Sequence, residues 1–281
     1  MCDFCGCSSP DHASLQHKHV VGSDEHHHDH QEHHHGHEVG ASISTHSHHH
    51  DSEAGRVAEV SRAILEKNSR LAERARGLFL GKRIAVINFV SSPGSGKTTL
   101  LQRTTRSIQS SIKSAVIVGD CATDIDARRI RETGVPAIQV TTGNVCHLDA
   151  HMVLHALDEI DLDDVQLIFI ENVGNLVCPT AFDLGEDRRV VLTSVTEGED
   201  KPLKYPSIFY DADLVLLTKI DLAGVLETDL KTARSNIYGV APRATVLEIS
   251  ARTGHGMEAW LEWLSQLVTE KGAARLASSQ V

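Results

Sequence analysis

The sequence predicts an α/β domain, a mostly parallel sheet covered by helices, preceded by a tail that stays disordered. Two observations carry this reading. Beyond Lys82, short apolar runs alternate with longer helical stretches, which is how buried parallel strands and their crossover helices read in sequence. Residues 1–55 have a different composition: nine acidic residues against one basic residue (Lys18), 15 of the 19 histidines and three of the six cysteines. From His12 to Ser52 apolar residues are almost missing, so burial there cannot offset the entropy of ordering.

The folded unit is therefore expected to be 56–281. Over 56–80, Val57, Val60, Ile64, Leu65, Leu71, Ala75 and Leu78 recur at helical spacing, which predicts an amphipathic helix packed on the domain. Strands are expected at Ile84–Val90, Ala115–Val118, Ala137–Val140, Leu167–Ile170, Val190–Thr193, Leu214–Leu217 and Thr245–Ile249. Helices are expected at Lys97–Gln109, Asp126–Glu132, Leu148–Leu157, Leu226–Ser235 and Met257–Thr269.

Charge excludes several classes. The net charge of −11 sits mostly in the tail, and no basic block exists to neutralise phosphates, so nucleic-acid binding is not expected. No apolar run approaches the ~18 residues of a membrane span, and no secretory signal is evident. A cytoplasmic chain with reduced thiols is the expectation.

The sharpest motif follows the first strand, Ser91-Ser92-Pro93-Gly94-Ser95-Gly96-Lys97-Thr98-Thr99. It predicts a phosphate-binding loop: small residues turn backbone N–H groups inward, Lys97 reaches the β/γ oxygens and Thr98 binds Mg²⁺. Ser91 stands where the strict pattern has Gly. Thr218-Lys219-Ile220-Asp221 follows a strand and resembles the Asn-Lys-x-Asp base-reading element of GTPases, with Thr218 in the Asn place. The Asp221 carboxylate can accept both donors of the guanine edge, and adenine lacks that pair. Ser250-Ala251-Arg252 resembles a second guanine element, so GTP is expected over ATP. Asp120 and Glu171 each close an apolar run, which places them beside the loop as candidates for Mg²⁺ and hydrolysis. Asp124 and Asp126 read as helix-start residues. No arginine is recognisable as a finger, which predicts slow turnover.

Cys146-His147 and Cys178 form a second constellation suited to Ni²⁺ or Zn²⁺. Three donors leave a tetrahedral or square-planar site one ligand short, so water or a second subunit must complete it. His151 and His155 are alternative ligands, and Cys121 reads as structural. In the tail, Cys2, Cys5 and Cys7 gather thiolates for soft or borderline metals. The His clusters behind them read as a low-selectivity divalent buffer.

Together these stretches resemble the hydrogenase maturation GTPase family HypB. The most specific are Thr141-Thr142-Gly143 with Cys146-His147-Leu148-Asp149-Ala150, and Glu171-Asn172-Val173-Gly174-Asn175-Leu176-Val177-Cys178-Pro179. The resemblance implies a P-loop GTPase fold and GTP hydrolysis coupled to nickel delivery into the large subunit of [NiFe]-hydrogenase. It also implies a GTP-dependent homodimer, a HypA-type metallochaperone partner, and an inner metal site of Cys146, His147 and Cys178 at the dimer interface. A urease accessory GTPase of the UreG type is the nearest alternative, but its Cys-Pro-His motif is not matched, since no His follows Cys178-Pro179. A metal-storage protein would leave the nucleotide elements idle. An ATP-dependent kinase would leave Asp221 and the cysteines idle.

Overall fold

A computed structural model describes residues 50–278, so the tail donors Cys2, Cys5 and Cys7 lie outside the described residues. All seven expected strands form: β1 (Ala85–Ser91), β2 (Ser114–Asp120), β3 (Ala137–Thr141), β4 (Leu167–Glu171), β5 (Arg188–Ser194), β6 (Leu214–Thr218) and β7 (Thr245–Ile249). They make one sheet in the order β3-β2-β4-β1-β5-β6-β7, and every pairing is parallel.

Most strands run past the end expected from their apolar run. Ser91, Asp120, Glu171, Ser194 and Thr218 all stay in register with a neighbour at the C-terminal edge. The ladder needs only backbone groups, so a polar side chain does not end it. These residues bring polar chemistry to the edge where ligands bind in such sheets.

The helices are α1 (His50–Lys82), α2 (Lys97–Ile108), α3 (Ile125–Arg131), α4 (Ala150–Leu157), α5 (Lys201–Lys204), α6 (Pro206–Tyr210), α7 (Leu230–Val240) and α8 (Met257–Ser278). Two starts differ from expectation because an Asp sets them. Asp149 accepts from Met152 N at 2.8 Å and opens α4, while Asp229 accepts from Lys231 N at 2.9 Å and opens α7. Such caps satisfy otherwise orphaned N–H groups. Short α5 and α6, each carrying a proline in its first turn, were not expected from the sequence.

One sheet face packs Leu100 and Leu101 of α2 and Trp260 and Leu264 of α8 against β1, β4 and β5. The opposite face packs Phe79 of α1 and Val153 and Leu157 of α4 against Val86, Ile117, Ile168 and Ile170. α1 corrects the expected packing stripe. It begins at His50, and its inward face is Asn68, Ala72, Ala75 and Phe79, whereas Val57, Val60 and Ile64 are exposed. The fully buried stretch of the helix, against α4 and the loop at 183–185, begins at Asn68, with Ser61 and Leu65 before it half-buried. There Asn68 donates to the Asp183 carbonyl at 2.8 Å and accepts from Ala150 N at 2.8 Å. Arg76 makes a two-pronged bond to Asp183. Gly185, at φ 81°, lets the loop pass against the helix, since a Cβ there would lie 2.7 Å from the Ala72 carbonyl oxygen.

Asn68→Ala should therefore destabilise the domain by about 1–3 kcal/mol, because it leaves a part-buried carbonyl and a buried N–H unpaired. Urea unfolding measures this, and Val60→Ala, on the exposed stretch, should leave the midpoint almost unchanged.

Candidate functional site

The loop between β1 and α2 turns through Gly94 (φ 74°) and Gly96 (φ 103°), a left-handed conformation that costs glycine little. Ser91, in the place of the usual glycine, is built into it. Its Oγ accepts from Ser95 Oγ at 2.5 Å and from Lys97 Nζ at 2.8 Å. Two residues of the base element hold the same loop from the other side. Thr218 Oγ1 donates to the Ser95 carbonyl at 2.7 Å, and Lys219 Nζ donates to the Gly94 carbonyl at 2.6 Å. Thr218 in the Asn place thus braces the phosphate loop with its hydroxyl.

A cavity of about 580 Å³ opens above the loop, lined by Lys97, Thr98, Asp120, Asp126, Arg129 and Glu171 among others. Thr98 Oγ1 donates to Glu171 Oε1 at 2.6 Å, while Glu171 Oε2 is buried with no hydrogen-bond partner. Burial lifts the Glu171 carboxyl to about 7, against the opposing pull of Lys97 and the Thr98 hydrogen bond. Burial also lowers the Lys97 pKa, with Glu171 and Asp126 opposing. Asp120 Oδ1 accepts from Ala122 N at 2.9 Å and Thr123 N at 2.7 Å, and with Thr123 Oγ1 these bonds hold its pKa down against desolvation. A hydroxyl beside a buried carboxylate oxygen without a partner is a hard oxygen donor set, and it fits Mg²⁺.

Three residues stand differently from the sequence reading. Asp126 lines the phosphate cavity besides starting α3. Arg129, overlooked in the sequence because nothing local marks it, lines the same cavity. Cys121 is exposed at the cavity wall, its thiol 3.7 Å from the Val145 carbonyl.

A second cavity of about 180 Å³ adjoins the first and shares Gly96, Thr99 and Lys219 with it. Thr218, Asp221, Ser250 and Ala251 line it. Ser250 Oγ donates to Asp221 Oδ1 at 2.6 Å, and Arg252 Nε lies 3.5 Å from Asp221 Oδ2. Arg103 of α2 donates to the Ala251 carbonyl at 2.7 Å, fixing this turn against the helix after the phosphate loop.

Cys146, His147 and Cys178 also meet. Their donor atoms lie within 4.8 Å of one another, and no other such group occurs among the described residues. The two sulfurs are 2.7 Å apart. His147 stacks on Phe182 with ring centroids 3.9 Å apart, and its Nδ1 is buried with no hydrogen-bond partner. Burial lowers its pKa, with Asp149 opposing, which favours the neutral, metal-binding imidazole. His151 and His155 meet edge to face along α4, with ring centroids 4.5 Å apart, outside this group.

One segment joins the phosphate cavity and the Cys/His group. Glu171 takes the Thr98 hydroxyl; the buried Asn172 accepts from Leu148 N at 3.0 Å, next to His147. Gly174 lies so close to the loop that a Cβ would be 2.9 Å from Pro93 Cα. Asn175 Nδ2 donates to Cys178 Sγ at 3.6 Å.

The model of the CobW/HypB/UreG nucleotide-binding domain matches residues 85–248. The hydrogenase maturation factor HypB of Escherichia coli K12 is 53% identical over 209 residues, covering 74% of this chain and 72% of the relative. The chain belongs to the HypB family of hydrogenase maturation factors. A probable HypB of Methanocaldococcus jannaschii is 39% identical and is covered over 97% of its length. Among solved HypB structures, that of Archaeoglobus fulgidus superposes with a TM-score of 0.68 at 40% identity, over 72% of this chain and 99% of the other. That of Helicobacter pylori in complex with nickel gives 0.70 at 38% identity, over 73% and 96%. Relatives at this level favour the HypB reading over the UreG alternative.

Glu171 generates a pH prediction for the nucleotide-free protein. Its carboxyl titrates at about 7 when folded against 4.5 when free, so only the folded state holds the proton between these values. The contribution of Glu171 to stability is then present at low pH and lost as pH rises through that interval. Chemical denaturation across that range should show Glu171→Gln lacking this part of the decline.

Proposed function

We propose that residues 56–281 form a Mg²⁺-dependent GTPase that couples GTP hydrolysis to delivery of Ni²⁺ into the large subunit of [NiFe]-hydrogenase. Residues 1–55 are its metal-binding tail. The segment from Glu171 to Cys178 carries this reading, because one short run of backbone touches the Thr98 hydroxyl, the phosphate loop and a metal-donor sulfur. A change at the γ-phosphate is thereby transmitted to the cysteine through contacts rather than through distance.

In this reading Gly94, Ser95, Gly96, Thr98 and Thr99 bind phosphate and Lys97 neutralises it. Thr98 and Asp120 hold Mg²⁺ with Glu171 beside them, and Asp221, supported by Ser250, reads guanine. Bound Mg²⁺ would supply charge neutralisation at the β- and γ-phosphates. Cys146, His147 and Cys178 hold Ni²⁺ or Zn²⁺ in transit, as befits a chain related to a protein crystallised with nickel. Their missing ligand is completed across a two-fold axis in a GTP-dependent homodimer. Cys2, Cys5 and Cys7 load the metal, a HypA-type metallochaperone is the partner, and the site of action is the cytoplasm.

The base assignment is tested by competition. GTP should displace a labelled guanine nucleotide far better than ATP, and equal displacement by both would overturn it. Asp221→Asn should move preference towards xanthine, because one acceptor becomes a donor. Lys97→Ala should slow hydrolysis by roughly 10²–10³-fold, the scale of one lost electrostatic contact.

Gly174→Ala tests the coupling. The added Cβ meets Pro93 backbone, so the phosphate loop must shift. Nucleotide affinity and the effect of GTP on nickel affinity should fall together, as measured by titration with a chromophoric chelator. Loss of nucleotide affinity with the nickel response intact would break the link.

A further inference from the structure

Among the described residues, three cations line the phosphate cavity: Lys97, Lys219 and Arg129. Lys97 is bonded to Ser91, and Lys219 is bonded to the Gly94 carbonyl, so both are part of the loop itself. Arg129 is held differently. Its short bond runs away from the cavity, Nη2 donating to Gln102 Oε1 at 2.9 Å, and Gln102 Nε2 donates back to the Arg129 carbonyl at 2.9 Å. The two partners that also line the cavity are held loosely. Nη1 lies 3.3 Å from Asp126 Oδ1, and Nη2 lies 3.5 Å from Thr99 Oγ1. The side chain is 40% exposed. Phosphate oxygens form shorter and stronger bonds with a guanidinium than either of these contacts.

Thr99 fixes where along the nucleotide Arg129 acts. It lines both the phosphate cavity and the base cavity, so the guanidinium approaches the phosphate chain between base and γ-phosphate. That is the leaving-group side.

We propose that Arg129 is a catalytic arginine supplied by the chain itself. It exchanges Asp126 and Thr99 for oxygens of the phosphate chain and neutralises charge on the departing diphosphate. This rests on the reading of the domain as a GTPase. In the step it serves, a water oxygen bonds to the γ-phosphorus while the bond from that phosphorus to the β–γ bridging oxygen breaks. The bridging oxygen keeps the electron pair and leaves with GDP, and the water proton departs with inorganic phosphate or to solvent. The negative charge that builds on the GDP side is what a guanidinium there stabilises most in the transition state. Asp126 holds the side chain until nucleotide arrives.

The test uses the full chain with Mg²⁺, comparing the native protein with Arg129→Ala and Arg129→Lys in GTP hydrolysis. A second readout is binding of fluorescent GDP with and without aluminium fluoride, which mimics the γ-phosphoryl group in transfer. Arg129→Ala should lower kcat about 10²–10³-fold, bind GDP nearly as the native protein does, and fail to form the aluminium fluoride complex. Arg129→Lys should recover part of the rate, because it keeps the charge and loses the fork. If Arg129→Ala fails to fold, Arg129→Gln against Arg129→Lys makes the same comparison. A variant without the charge that hydrolyses GTP at the native rate, or forms the aluminium fluoride complex normally, would overturn the proposal. So would equal losses of GDP and GTP affinity with kcat unchanged, which mark uniform binding. A native protein that binds GTP without hydrolysing it would instead overturn the GTPase reading itself.

Discussion

Glu171 is buried where β4 ends, taking the Thr98 hydroxyl at 2.6 Å and keeping its second oxygen without a partner. The rest of this sheet edge is arranged around this carboxyl. β4 lies between β2 and β1, so its end is the one strand terminus that faces the phosphate loop on one side and Asp120 on the other. An ionised carboxylate in such a place is costly unless a cation or several donors meet it. The fold supplies one hydroxyl and the nearby Lys97, and burial still wins, lifting the pKa to about 7. One oxygen of this buried carboxyl is thereby left without a hydrogen-bond partner.

The same economy of contacts explains how two departures from familiar sequence patterns are absorbed. Ser91 replaces a glycine of the phosphate loop, and its hydroxyl collects Ser95 and Lys97. Thr218 replaces an asparagine of the base element, and its hydroxyl reaches the Ser95 carbonyl, tying β6 to the loop. In both cases a small hydroxyl side chain fixes the loop by hydrogen bonding. The phosphate loop is therefore braced from β1 and from β6.

The donor trio obeys a different constraint. Cys146 and His147 lie on the loop entering α4, while Cys178 opens a short 3-10 turn after β4. Asn172 keeps these loops together, accepting from Leu148 N and donating to Asn88 Oδ1 at 3.3 Å. Because Asn172 immediately follows Glu171, the geometry of the Cys/His group and that of the phosphate loop share one origin.

The sequence by itself determined the seven strands, the phosphate loop, the strand-end acids and the donor types Cys146, His147 and Cys178. Each of these is written in a local pattern: an apolar run, a glycine-rich turn, a polar residue closing a strand. It missed what depends on who lies beside whom. The buried face of α1 is Asn68, Ala72, Ala75 and Phe79 because α4 and the 183–185 loop pack on that stretch of the helix. Periodicity cannot show how far along a helix its support extends. Asp126 looks like a helix start and Arg129 like an ordinary surface arginine until the parallel order of β2, β4 and β1 sets α3 over the first turn of α2. Strand order is fixed by long-range pairing of the whole sheet, and so are the neighbours of every residue at its edge.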